Sequence, residues 1–144
     1  MTKIKPQHAL VLTVGELSKV SETTSDAIRH YVRVGLLNPS RDSANGYRLF
    51  SEDDVKRTKF IRRAKGLGFT LNDIQTIFEH SNDGLSPCPA VREIIQQRID
   101  ENRSRLAELN ALQKRMDDAL DKWNSMPDGE PDGEAICHLI ESVV

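Results

Sequence analysis

Between positions 95 and 123 the chain places Ile95, Ile99, Asn102, Leu106, Leu109, Gln113, Met116, Leu120 and Trp123 at intervals that alternate four residues and three. Seven of these nine are apolar, and a mean spacing of about 3.5 residues lies close to one α-helical turn. They therefore form one stripe along a single long helix, predicted over 90–124. Such a helix runs about 50 Å at 1.5 Å per residue and has no core of its own against which to lay the stripe. A dimerising coiled coil with a second copy is the favoured reading. The alternative is a long helix packed on its own domain, for which the preceding half of the chain is small. Asn102 and Gln113 interrupt the stripe with amides, which can fix register and oligomer state at some cost in stability.

Upstream the periodicity changes. Val14, Leu17 and Val20 recur at helical spacing, as do Ala27, Ile28, Tyr31, Val32 and Leu36 after a break at 21–24. Two short helices joined by a tight turn are predicted, with Thr13 and Ser25 as N-caps and Gly35 as the stop. In "NPSRDSANGYRLF", Pro39, Asn45 and Gly46 mark turns around strand-forming Tyr47, Leu49 and Phe50, so a small hairpin or wing follows. Ser51 and Asp54 open a helix over 52–65 in the manner of a capping box. "GLGFT" interrupts it, a short helix over 71–79 closes this half, and "ICHLIESVV" near the end is either a turn or two of helix or an extended segment.

Charge divides the chain in the same place. Residues 1–71 hold 13 Lys/Arg against 7 Asp/Glu, a net of +6, while 72–144 hold 7 against 15, a net of −8. That polarity suits a basic reader of phosphates joined to an acidic module with another task, although solvated helix faces produce similar imbalances. Two cysteines are too few for a disulfide framework, and nothing near Met1 resembles a signal peptide. No window approaches the roughly 18 to 20 apolar residues of a membrane span. A soluble, cytoplasmic protein with reduced thiols and no membrane partner is expected.

The pieces "IRHYVRVGLL", "NGYRLF", "FIRRA" and "LGFTLNDI", in that order, resemble the DNA-binding domain of the MerR family of transcription regulators. The likeness runs from about Thr13 to Ile77, and the coiled coil extends it to Trp123. It implies a mainly α fold: an N-terminal tail (1–12), a winged helix-turn-helix DNA-binding domain (13–80), a linker (81–89), a long antiparallel dimerisation coiled coil (90–124) and an effector-binding loop with a C-terminal segment (125–144). It also implies a homodimer on double-stranded promoter DNA that twists an overlong spacer so that RNA polymerase can engage both elements. On the recognition helix, Arg29 can reach base edges or phosphate with two donors at once, and the Tyr31 hydroxyl can reach phosphate. Tyr47 and Arg48 resemble the family's backbone-gripping pair on the wing, and Lys65 with the "GLGF" turn corresponds to its second wing. Packing is the alternative for the two tyrosines, and a solvated charge for Arg48. His30, Val34 and Asp26 depart from the pattern, which carries an aromatic at the first and often a basic residue at the second, so base specificity does not transfer.

Within the family the chain looks most like the branch that answers heavy-metal ions. There, a cysteine at the position resembling Cys88 and cysteines in the loop after the long helix form the sensor, shared between antiparallel subunits. A cysteine rather than a serine at the Cys88 position goes with divalent ions, which favours zinc, cadmium, lead or mercury as effector. A thiolate at a helix start is a good soft-metal ligand; Cys137 adds a second and His138 a possible imidazole. His80 and acidic residues of the loop are further candidates. Relatives usually carry two loop cysteines, whereas "DKWNSMPDG" here has none. A core role for Cys137, a redox or electrophile sensor of the same fold, and a constitutive architectural DNA-binding protein remain as alternatives. Iron–sulfur sensing lacks clustered cysteines, and an enzyme built on Cys137 and His138 lacks a third group and an oxyanion loop, so no catalytic activity is expected.

Overall fold

The computed structural model describes residues 11–143. The N-terminal tail, with His8, lies almost wholly outside the described residues. The fold is mainly helical: α1 (Val14–Ser21), α2 (Ser25–Arg33), β1 (Ser40–Arg41), β2 (Arg48–Leu49), α3 (Glu52–Gly66), α4 (Leu71–Asn82), α5 (Cys88–Asn124) and α6 (His138–Glu141). The described residues divide into two compact units, which part between Gln96 and Gln97. No helix among the described residues is long and apolar enough to cross a membrane.

In the first unit each helix begins where a side chain satisfies its first amides. The Thr13 and Glu16, Ser51 and Asp54, and Thr70 and Asp73 pairs all form reciprocal capping boxes at α1, α3 and α4. At α2 the cap is Thr24, which accepts from the Ala27 amide at 3.1 Å, one residue earlier than the expected Ser25. Gly35 stops α2 in the left-handed region at φ 83°, as the sequence suggests. On α1 the buried positions are Leu17 and Ser21, while Val20 is 48% exposed. Ser21 is accommodated because its hydroxyl donates to the Leu17 carbonyl at 2.6 Å.

Leu17, Ile28, Leu36, Leu37, Phe50, Ile61 and Ile74 are essentially inaccessible and form one core with Tyr31, Phe69, Ile77 and Phe78. The chain closes this core with an antiparallel bridge between Leu12 and Phe50, whose amides and carbonyls exchange bonds of 2.8 and 2.7 Å. β1 and β2 pair Ser40 with Leu49 and Arg41 with Arg48. The fully buried Thr58 donates to the Asp54 carbonyl at 2.7 Å, so α3 buries a hydroxyl without leaving it unsatisfied.

Boundaries differ from the sequence reading in one region. α4 continues to Asn82 and α5 already begins at Cys88, which shortens the linker to 83–87. Pro89 sits in the first turn of α5, where a missing N–H costs nothing. Val91, Ile94 and Ile95 pack on the core of the first unit, so Ile95, counted in the seam, is partly used within the chain itself. Farther along, Leu106, Leu109, Met116 and Leu120 are 52–59% exposed, and no residue of α5 is buried.

In the second unit, Lys122 Nζ donates to the Ser142 carbonyl at 3.3 Å, tying the C-terminal segment to the end of α5. The Asp132 carboxylate accepts from the Glu134 and Ala135 amides at 2.9 and 3.0 Å, and these bonds hold its pKa below the usual carboxylate value.

Phe50 locks bridge and core together, so Phe50→Ala should lower stability by about 3–5 kcal/mol, as large-to-small core changes do. Denaturant unfolding of the full chain checks this; a loss under about 1 kcal/mol would mean that the site collapses onto the cavity.

Candidate nucleic-acid interface

Ile28 and Tyr31 turn one face of α2 into the core, which leaves Asp26, Arg29, His30 and Arg33 on the exposed face. Tyr31 is only 6% exposed, and burial pushes its phenol pKa upward. Its position three residues after Ile28 accounts for this: the two share the buried face. The ring therefore packs with the core, which is the alternative named for it above. Arg29 does lie on the open face, with its Nη1 at 3.0 Å from Asp26 Oδ1. Both partners are solvated, so this pair contributes about 0–1 kcal/mol and yields readily to a phosphate or a guanine edge. Arg33 Nη2 lies 3.4 Å from His30 Nδ1 and adds a second cation that the sequence reading passes over.

The wing is built for anions. Arg41 and Arg48 are direct partners across the two-stranded ladder, an arrangement that disfavours the hairpin by like-charge repulsion. Arg41 Nη1 donates to the Gly46 carbonyl at 3.0 Å; Gly46 takes φ 73°, a turn that favours glycine. Asn45 Oδ1 accepts from the Tyr47 amide at 2.9 Å, and Tyr47 stands 67% exposed. Tyr47 and Arg48 line a cleft of about 410 Å³ with Arg41, Gly46 and the first residues of α1, Thr13, Val14 and Gly15. Two guanidinium groups beside a helix N-terminus make a phosphate-binding environment. Sequence reasoning misses Arg41, because a two-residue turn at Asn45-Gly46 would set Ser43 against Arg48, whereas the longer loop closed by Asp42 and Tyr47 sets Arg41 there.

Lys65 is exposed in the last turn of α3, and its carbonyl accepts from the Gly68 amide at 3.0 Å. Gly68 at φ 91° and the buried Phe69 hold this turn, with Leu67 at its tip 68% exposed.

The expected effector residues lie elsewhere. Cys88 is the exposed first residue of α5, and its amide donates to Ser86 Oγ at 3.4 Å. Cys137 is half-buried just before α6, and its amide donates to Glu141 Oε2 at 3.0 Å. Both thiols are free. His138 opens α6 with Nε2 at 3.1 Å from the Pro127 carbonyl, so that nitrogen carries the proton and donates. The adjoining Nδ1–Cε1 edge of the ring covers Gly129, where an added Cβ would overlap Nδ1 and Cε1. His80, at the end of α4, keeps a buried Nδ1 without a hydrogen-bond partner. Among the described residues of one chain, no three His, Cys, Asp or Glu side chains gather to hold a metal ion.

Comparison with known proteins agrees with this layout. The family described as MerR HTH family regulatory protein matches residues 12–81, and one described as MerR, DNA binding, matches 55–119. The HTH-type transcriptional regulator ZntR of Escherichia coli (strain K12) is 32% identical over 131 residues, covering 90% of each chain. Heavy metal-dependent transcription regulator 2 of Rhizobium meliloti (strain 1021) is 26% identical, covering 92% of this chain and 86% of that one. Among solved structures, the transcription regulator PbrR691 from Ralstonia metallidurans CH34, in complex with lead(II), superposes with a TM-score of 0.71 at 24% identity, covering 92% of this chain and 99% of that one.

Replacing Arg41 and Arg48 by Gln together should weaken binding to any duplex DNA and reduce the slope of log affinity against log salt by about 1 per charge. Thermal stability should hold or rise, since a like-charge pair is removed; unchanged affinity would take the wing out of the interface. Asp26→Asn should tighten binding by up to about fivefold by releasing Arg29, measured by fluorescence anisotropy, and weaker binding would contradict the masking role.

Proposed function

The chain belongs to the MerR family of helix-turn-helix regulatory proteins, and from that premise we propose that it is a dimeric, metal-responsive regulator of transcription. In this reading it sits on promoter DNA through α2 and the wing. Binding of a divalent thiophilic ion changes the shape of that DNA, so that RNA polymerase engages it. The deformation involves on the order of a few kcal/mol, within reach of differential ligand binding.

One observation carries the reading. α5 presents an uncovered apolar stripe, with an exposed thiol at its start and, at its end, a C-terminal turn bearing Cys137 tied back through Lys122. An antiparallel pair of such helices brings the start of one beside the end of the other. Cys88 of one copy and Cys137 of a second would then hold the ion with two thiolates. The similarity to ZntR, to a heavy metal-dependent regulator and to a lead-bound structure supports a metal as effector. Two thiolates suit linear mercury coordination, whereas zinc asks for a fuller tetrahedral set. His138 would join such a set through Nδ1, the nitrogen left unprotonated while Nε2 donates to the Pro127 carbonyl.

The exposure of Cys88 equally favours a second reading, in which the thiol is modified by an oxidant or electrophile. Metal titration with thiol counting separates the two. A metal effector protects both thiols reversibly, and a modifying one consumes them.

Cys88→Ser and Cys137→Ser should each abolish metal-induced transcription from the target promoter in vitro while leaving operator affinity within about twofold, because the first unit holds the DNA contacts. Full induction by every thiophilic ion in the Cys137→Ser variant would return Cys137 to a packing role. Gly129→Ala, which displaces the His138 ring, should lower zinc affinity more than mercury affinity; equal effects would remove His138 from the ligand set. Leu109→Asp should give monomers, seen by sedimentation, with little operator affinity.

A further inference from the structure

Building on the dimer reading, we propose that two α5 helices pair antiparallel in a single register, in which Asn102 of each copy hydrogen-bonds Gln113 of the other. In heptad terms Ile99, Leu106, Gln113 and Leu120 occupy the first core position, and Ile95, Asn102, Leu109, Met116 and Trp123 the second. Reversing one helix makes every layer join a first position to a second. Setting Asn102 against Gln113 of the second copy then sets Ile99 against Met116 and Leu106 against Leu109, each twice by symmetry. Apolar groups meet apolar groups, and amides meet amides.

Neighbouring registers lose this match. A slide of one heptad in one direction puts Asn102 against Leu120 and Gln113 against Leu109; in the other direction it puts Asn102 against Leu106 and Gln113 against Ile95. Either slide buries four amides against aliphatic side chains. The first slide gains two ion pairs between Arg103 and Asp117. These are solvated, and each is outweighed severalfold by the desolvation of an unpaired amide. Asp117 Oδ1 also already accepts from Gln113 Nε2 at 3.2 Å within the same helix. That bond uses the Gln113 nitrogen and leaves its Oε1 to accept from the Asn102 amide of the second copy.

The flanks give the orientation. A parallel pair would set Arg98 against Arg103 on both sides of the seam, two like-charge contacts. In the antiparallel register Arg103 faces Asn110 and Gln96 faces Asp117, with no like-charge pair. Leu112, which is 38% exposed beside the seam, falls under the aliphatic stem of Arg105 from the second copy. Arg105, Leu109 and Leu112 already line one concavity of about 550 Å³ on α5.

The test is thiol cross-linking in a Cys88→Ser, Cys137→Ser background, after sedimentation has shown whether the chain is a dimer. A chain carrying Asn102→Cys and Gln113→Cys should oxidise to a covalent dimer, while Asn102→Cys alone should not, since each introduced thiol then faces glutamine. Cross-linking of Asn102→Cys alone means parallel helices, and efficient cross-linking of Leu109→Cys with Gln113→Cys means a shifted register; either result overturns the proposal while leaving the dimer reading intact. A monomeric parent protein overturns the dimer reading itself. Should the cysteine variants fold poorly, Asn102→Leu and Gln113→Leu provide the check. Each alone should weaken dimerisation about tenfold or more, and the two together should restore it to the parent value or tighter. Additive weakening in the double variant would show that the amides do not meet.

Discussion

Ile99, Leu106, Leu109, Met116 and Leu120 are left exposed along α5. Val91, Ile94 and Ile95 pack on the core of the first unit, and at the far end Lys122 is tied to the C-terminal segment. At about 25 cal/mol per Å² of apolar surface, a stripe of this length left in water is a strong drive towards association. What the molecule does at either end follows from how that stripe is satisfied. In the proposed dimer a second copy would double the recognition helix and wing, as half-sites on DNA require, and would bring a thiol at one helix start near a thiol beyond the other helix's end.

The DNA-facing half shows the opposite economy. Its core is closed and its polar groups are capped, so the fold does not depend on nucleic acid. Yet it sets Arg41 across from Arg48, and the cleft they share with the start of α1 serves no packing purpose. A feature that weakens its own hairpin and concentrates positive charge is best understood through a polyanion that neutralises it. Specificity is a separate matter: the exposed face of α2 groups Asp26, His30 and Arg33 around Arg29.

Much of this is legible in the sequence because it depends on local chemistry. Capping residues, the Asn45-Gly46 turn, Gly35 and the seam each leave a mark within a few positions, and the helices and hairpin they imply are present, with the α2 cap at Thr24 in place of Ser25. Tyr31 is different: its motif resemblance to a phosphate contact says nothing of which face Ile28 has already committed to the core. The start of α5 falls two residues before its expected place because Pro89 reads as a breaker, although a proline in the first turn is harmless. The engagement of His138 with Pro127 has no sequence signal at all, since it depends on how an irregular segment folds back and on Gly129 having no side chain. Residues far apart in sequence and joined only by loop conformation remain invisible until coordinates exist.

The Asp26–Arg29 pair also bears on how the protein responds to its ionic surroundings. A free arginine that docks on phosphate expels a condensed cation from the DNA, and this is why binding weakens as salt rises. In the proposed docking Arg29 would leave Asp26 for DNA, stranding a carboxylate close to the duplex that would recruit a cation in return. Release and uptake would then partly cancel, so this one contact would add less to salt sensitivity than a free arginine does.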